Sequence, residues 1–227
     1  MPKIYRLSKT GIRLFYKIRH HRGHGIHSPF VFNLITKVIE EKSPFYAYTE
    51  IINHVKGCDS VKQKIRKNDL LSFRLVNYFN SKKILEIGAG NGINTLCLTA
   101  PSSYIECKCV ELSEEKAGNA LSLYKNWDRN IHLFTQGLPH INEKQDCICI
   151  DLRNYHSDPE QLAAYVLNLV NDDSFIIVKG IRTNKRHQLL WKCLRKADRV
   201  TVSLDLFHEG ILFFNPKLYK RNYRISF

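Results

Sequence analysis

The sequence predicts an α/β fold with a doubly wound, mostly parallel sheet, on three observations. From Lys83 onward, apolar runs of strand length alternate with helical patterns of about ten to fifteen residues, the arrangement of right-handed β-α-β crossovers covered on both faces. A glycine-punctuated turn, "EIGAGNG", ends the first of these strands and opens the helix after it. The last two apolar runs are joined by only three residues, "HEG", too few for a parallel crossover, so the final pair forms an antiparallel hairpin with one reversed element at the sheet's edge.

The elements follow in chain order. Residues 1–67 read as a basic helical extension and 68–227 as the main domain. Ile4, Leu7, Gly11, Leu14, Phe15 and Ile18 recur at three- and four-residue steps between basic residues, an amphipathic helix. Ser28-Pro29 supplies an N-cap and a first-turn proline, and Phe30, Phe32, Leu34, Ile35, Val38 and Ile39 give the following helix its core-facing side. Residues 41–67 look irregular and hold a mobile connection, and a helix spans about 68–80. Strands are then expected at "KILEIG", "YIECKCVEL", "NIHLFTQG", "DCICID" and "SFIIVKG". The helices between and after them are "INTLCLTA", "SEEKAGNALSLYKNW" with Ser113 as cap, "DPEQLAAYVLNLV" and "TNKRHQLLWKCLRKA"; "RVTVSLDLF" and "ILFFN" form the closing hairpin.

Composition sets limits on function. The 227 residues, 44% hydrophobic and 25% charged, suit one domain with a substantial core plus an extension. No run of about 18 apolar residues suggests a membrane span, and the N-terminus lacks the apolar stretch of an export signal, so a cytoplasmic location is expected. Seven cysteines, two of the pairs spaced C-x-C in alternating apolar runs, read as buried thiols, with no paired C-x-x-C spacing for zinc. His20, His21, His24 and His27 likewise lack a helical pair backed by a carboxylate. The net charge of +14 is concentrated in the first 30 residues and in the tail after Glu209, and it attracts polyanions such as nucleic acid, an acidic membrane surface or a phosphorylated metabolite.

In a doubly wound sheet, ligands bind beyond the carboxyl ends of the strands. The turn at Gly88, Gly90 and Gly92 lies at such an end, and Glu111 closes the next strand 19 residues after Gly92, where a carboxylate can accept ribose hydroxyls. A dinucleotide fingerprint needs glycine at 93, where this chain has Ile93. Glu86, two residues before the first glycine, repels a pyrophosphate but suits the ammonium of an amino acid. The pattern therefore favours S-adenosylmethionine over NAD.

"EIGAGNG" together with Glu111 resembles motif I of class I S-adenosylmethionine-dependent methyltransferases, and residues 83–215 are similar to their Rossmann-like seven-stranded layout. The flanks "HGIHSPFVFNLITKVI" and "VTVSLDLFHEGILFFNPKLYKRNYRISF" resemble a bacterial group related to the small-molecule O-methyltransferases, a likeness that fixes no substrate. The resemblance implies that Glu86, Gly88, Gly90 and Gly92 line the methionine and ribose portion. It also implies that Glu111 holds the ribose with Leu112 beside the adenine, that Gln136 and Gly137 touch the adenine ring, and that Asp151 stands beside the reacting methyl. Metal-dependent relatives carry further acids at the end of the fifth strand. Here Lys179-Gly180 stands there, and a protonated lysine ligates no divalent cation, so no dedicated metal is expected.

Methyl transfer from a sulfonium needs alignment first, and a base only where the acceptor must lose a proton. His156, Tyr155, His187 and Lys179 are the candidates for that base. Lys179 can instead hold an anionic group or pair with Asp151. The expected partner is a small or anionic acceptor. The alternatives are RNA binding or modification, for which the charge and "KGIRTNKRHQ" speak, a cofactor-binding protein without catalysis, and a nicotinamide-linked oxidoreductase.

Overall fold

A computed structural model describes residues 27–225 and Phe227; the basic amphipathic segment over 4–18, the cations from Lys3 to Arg22, and His20, His21 and His24 lie outside the described residues. The first helix, α1 (Pro29–Leu34), starts as expected, with the Ser28 hydroxyl accepting from the Val31 N–H at 3.4 Å, and runs on into a π-helical turn at Ile35–Ile39. Next come α2 (Tyr46–Lys56), α3 (Lys67–Phe79), β1 (Lys83–Ile87), α4 (Ile93–Thr99) and β2 (Glu106–Val110). They are followed by α5 (Glu114–Tyr124), β3 (Asn130–Phe134), β4 (Cys147–Asp151), α6 (Pro159–Asn168) and β5 (Phe175–Lys179). The chain closes with α7 (Lys185–Lys196), β6 (Val202–Asp205), β7 (Glu209–Phe213) and β8 (Arg221–Arg224).

The strands form one sheet in the order β3-β2-β1-β4-β5-β7-β6-β8. Alternation along each strand divides its side chains between two cores. Ile84, Cys107, Cys147, Phe175, Ile177 and Ile211 meet α1 and α3, whereas Leu85, Ile148, Ile150, Ile176 and Val178 meet α6 and α7. Five cysteines are buried, four of them on strands, and burial pushes the Cys109 thiol up to about 12, so it is a neutral packing group.

Three expectations are corrected. The sheet has eight strands rather than seven, because β8 pairs in parallel with β6. Its sequence, Arg-Asn-Tyr-Arg, has no apolar alternation, so only backbone pairing marks it as a strand. The reversed element is not at the edge: β7 is antiparallel to both β5 and β6 and lies between them. The crossover through α7 sets β6 parallel to β5 but one position away, and the tight return at Leu206–His208 drops β7 into the gap. Residues 41–67 are not wholly irregular, since α2 occupies part of them. Ile51 and Val55, four apart, bury against Phe73, Leu96 and Trp127, while the remaining positions of α2 are mixed, which hid the helical period.

Trp191 of α7 lies flat against β7, so that a Cβ on Gly210 would fall 2.3 Å from the indole. Gly210→Ala is therefore expected to cost about 1–3 kcal/mol through overpacking, read as a lowered denaturation midpoint at unchanged slope; an unaltered midpoint would show that α7 is not seated on the sheet in this way.

Candidate functional site

The period of two that builds the core also sorts the charges. Glu86, Asp151 and Lys179, at the carboxyl ends of β1, β4 and β5, alternate with Ile87, Ile150 and Val178 and therefore project to the face covered by α3 and α4. Asp151 is in register with Lys179, and Lys179 with Glu209 at the start of the reversed strand β7. Four charged side chains from four strands thus gather at one end of one face.

Lys179 is their centre. It is 1% exposed, donates to Asp69 Oδ1 of α3 at 3.0 Å and also donates to Asn94 Oδ1 of α4. Burial works against its charge, but the Asp69 carboxylate foremost, with Glu209 and Asp151 beyond it, outweighs burial and raises its pKa. Lys179 is therefore a fixed cation at neutral pH, and its ion-pair partner is Asp69, not Asp151, the pairing that stood among its possible roles. Asp151 is instead held by Arg153 through Nε–Oδ1 at 2.8 Å and Nη2–Oδ2 at 2.5 Å. Burial opposes ionisation of Asp151, yet this bidentate pair keeps it below its ordinary value.

Glu86 sits beneath the glycine turn. Its carboxylate accepts from Asn94 Nδ2 at 2.7 Å and from the Thr95 hydroxyl at 2.5 Å, fastening α4 to β1, and burial raises its pKa. Glu209 is 1% exposed and, among the described residues, neither of its oxygens receives a hydrogen bond of good geometry. Burial pushes it up to about 7, against the opposing pull of Lys179 and of the Asn68 side chain.

In the turn, Gly88, Gly90 and Gly92 have φ of +83°, +61° and +85°, the left-handed region that side chains avoid. The glycines also make room. A Cβ on Gly90 would lie 2.7 Å from Asn154 Nδ2, and one on Gly92 would lie 2.7 Å from the Tyr124 ring. Asn154, in the loop after β4, donates to Gly88 O at 3.2 Å and accepts from Lys116 Nζ at 3.0 Å. Glu111 accepts from the Gly90 N–H at 2.7 Å and the Ser113 N–H at 2.9 Å, which ties the ends of β1 and β2 together.

Between the turn and the β4 loop lies a cavity of about 210 Å³, lined by Gly90, Asn91 and Asn94 on one side and by Asp151, Arg153 and Asn154 on the other. Asp69, Arg66 and Lys116 complete it. Of the cofactor candidates, Gly90 lines this cavity and Gly88 and Gly92 shape the same turn. Glu86 and Glu111 are buried below it, each 1% exposed, the first against side chains of α4 and the second against backbone N–H groups. Leu112 is exposed, and Gln136 and Gly137 follow β3 at the surface, none of the three lining the cavity. His156 is not brought in either. It lines a separate cavity of about 50 Å³ between the starts of α6 and α7, with Tyr155 and His187. In the stretch "KGIRTNKRHQ", Lys179, Ile181 and His187 are buried and Arg182 is paired bidentately with Asp205, which leaves Lys185 and Arg186 as its exposed cations.

Sequence reasoning passed over Asp69, Asn94, Lys116, Arg153, Asn154 and Glu209. Asn94 stood inside the quoted motif, and Glu209 was legible as an acid in a three-residue return between two apolar strands. Asp69 carried no signal beyond its place in a helix start.

No protein-family model and no curated protein matches the sequence. Solved structures do match the fold. The O-methyltransferase from Bacillus cereus, in complex with SAH, is 20% identical with a TM-score of 0.55, covering 81% of this chain and 97% of its own. The SAH-bound methyltransferase PaMTH1 from Podospora anserina is 13% identical at a TM-score of 0.56, covering 77% and 98%. TomG from Streptomyces achromogenes, an O-methyltransferase involved in tomaymycin synthesis and solved with SAM, is 14% identical at 0.53, covering 82% and 94%. The chain has the fold of these class I methyltransferases.

The buried charges give a pH signature. Glu209 has a folded pKa of about 7 against an ordinary 4.5, so the folded chain holds a proton that the unfolded chain releases between those values, and stability falls as pH rises through that window. Glu209→Gln removes the cost. Its advantage in unfolding free energy over the parent is expected to grow between pH 5 and pH 8, by up to about 3 kcal/mol at about 1.4 kcal/mol per unit; a difference that stays flat with pH would show that Glu209 ionises normally.

Proposed function

We propose that this protein transfers a methyl group from S-adenosylmethionine to a small, anionic acceptor, without a dedicated metal. The observation that carries the reading is the placement of the 210 Å³ cavity between the glycine turn ending β1 and the Asp151 loop ending β4, where doubly wound sheets bind their ligands. The residues fit the cofactor. Left-handed glycines bring backbone close to the cavity, Asn91 offers an amide, and the Asn154 amide already satisfies Gly88 O as a ligand's ammonium would. When bound, the cofactor supplies an activated methyl on a sulfonium.

What remains for the chain is to bind and orient. Asp151 is an anion in the cavity wall, positioned by Arg153 to face a cationic or hydroxyl-bearing centre. Lys179 does not act as a base, since its neighbours hold it protonated; it fixes Asp69 at the cavity wall and sets positive potential beneath the floor. The Arg66 guanidinium and the Lys116 ammonium form no ion pair among the described residues and line the same cavity, while Asp69 and Asp151 are both paired with cations. That surplus of positive charge favours an acceptor carrying a carboxylate or phosphate. Ionisation of such an acceptor's hydroxyl is eased by the same field, so a strong internal base is not required. Both carboxylates of the cavity wall are already paired, Asp151 with Arg153 and Asp69 with Lys179, which supports the metal-free form of the reading.

Calorimetric titration with S-adenosylmethionine, S-adenosylhomocysteine and NAD, before and after chelation of divalent metal, tests it. Micromolar binding of the first two, unchanged by chelation and lost in Glu111→Ala with the fold retained, is expected; binding of NAD alone, or of nothing, overturns the reading. Asn154 occupies the space against Gly90 that a ligand would enter, so Asn154→Ala is expected to tighten cofactor binding about fivefold, the worth of one neutral hydrogen bond of about 1 kcal/mol. Weaker binding would mean that Asn154 contacts the ligand instead of competing with it.

A further inference from the structure

The eighth strand leaves a second feature that methyl transfer does not use. After Glu209 the sequence contains no Asp or Glu, and it reads Lys217-Leu-Tyr219-Lys220-Arg221-Asn222-Tyr223-Arg224, with cations and aromatics interleaved. As a bare sequence this looks like a polar tail. In the fold it becomes the edge of the sheet, with no strand beyond it among the described residues.

The edge is a groove of about 490 Å³, lined by Arg221, Asn222, Tyr223 and Arg224 of β8 and by Arg195 of α7. Among the described residues no acidic side chain lines it. The Arg221 guanidinium lies 5.5 Å from the centroid of the Tyr223 ring, and Tyr219 just before the strand is 94% exposed. Lys220, beside them, is exposed with its ammonium on the Asp198 carbonyl at 3.4 Å.

Cations alone have a simpler use, since lysine and arginine on an open edge discourage strand-to-strand association. That use accounts for Arg221 and Arg224. It does not account for Tyr219, held almost fully in water just before the strand, whereas Tyr223 is half-buried against the apolar cluster that contains Val202 and Leu204. An exposed flat ring for stacking, guanidinium groups for phosphate and an open row of backbone donors and acceptors for ribose hydroxyls are together what a single RNA strand needs. A bilayer would need exposed leucine, isoleucine or phenylalanine to insert, and none is exposed over 217–224. A second copy of this edge would bring like charges together.

We propose that the β8 edge is a binding surface for single-stranded RNA, separate from the cavity between β1 and β4. Bases stack on Tyr219, and Arg195, Lys220, Arg221 and Arg224 follow the phosphates. The proposal is independent of the methyltransferase reading, because no residue of the edge lines that cavity.

Fluorescence anisotropy of the full chain with a labelled 12-nucleotide single-stranded RNA of mixed sequence tests it, over a series of salt concentrations. Saturable binding is expected, with affinity falling as salt rises; four cations at about 0.7 each add about 3 to the log–log slope. The triple variant Arg195→Glu, Arg221→Glu, Arg224→Glu is expected to bind at least about tenfold more weakly with a shallower slope. Tyr219→Ala is expected to weaken binding about tenfold, as for one lost stacking contact, at unchanged slope and unchanged melting temperature. That second variant separates stacking from charge, and its exposed position leaves the fold intact. No saturable binding overturns the proposal. So does a triple variant that binds like the parent, which would assign RNA to the basic residues before 27, or a Tyr219→Ala variant without effect. Phosphatidylserine vesicles are expected not to bring the protein down in sedimentation; vesicle binding that disappears in the triple variant together with RNA binding would make the edge a general polyanion surface and also overturn it.

Discussion

The site is organised around one buried ammonium. An uncompensated charge in the interior costs several kcal/mol, so Lys179 can sit there only while its partners are in place. Asp69 arrives from α3 and Asn94 from α4, so one side chain on β5 fixes two helices of the same sheet face. Glu86 binds the other end of that arrangement by taking Asn94 and Thr95. The glycine turn lies between these anchors, and the cavity forms where the turn, the start of α3 and the β4 loop face each other. Altering the cation at 179 would thus disturb the cavity's walls as well as its potential.

The same arrangement changes the meaning of the departure at the end of β5. Where relatives with metals are implied to carry acids, this chain has a cation of its own, already surrounded by Asp69, Asp151 and Glu209. Placing a divalent ion there would set it beside a lysine that its neighbours keep charged. Glu209 is the most costly member of the group, a carboxylate buried without good hydrogen bonds and held near pH 7. Its tolerance in the fold rests on the positive field of Lys179 opposite it.

Sheet topology supplies the rest. Inserting β7 between β5 and β6 brings Glu209 next to Lys179 and pushes β6 outward, and β8 then pairs with β6 to become the edge. The reversed strand therefore contributes to two regions: it completes the buried charge cluster and it displaces the basic, aromatic tail to an exposed rim.

Much of this was legible locally. The alternation of strand and helix patterns, the helix starts at Ser28, Ser113 and Asp158, and the left-handed glycine turn are encoded in residues a few positions apart, and all appear in the structure. Period-two spacing even places Glu86, Asp151 and Lys179 on a common face. Which partner each charge takes was not legible. Asp69 and Lys179 are separated by 110 residues, and Asp151 turned to Arg153, two positions away, leaving Lys179 to the helix above it. Spacing within an element decides which way a side chain points, because the backbone repeat is local; which side chain it meets depends on how helices and strands pack across the sheet, and that only the tertiary structure decided.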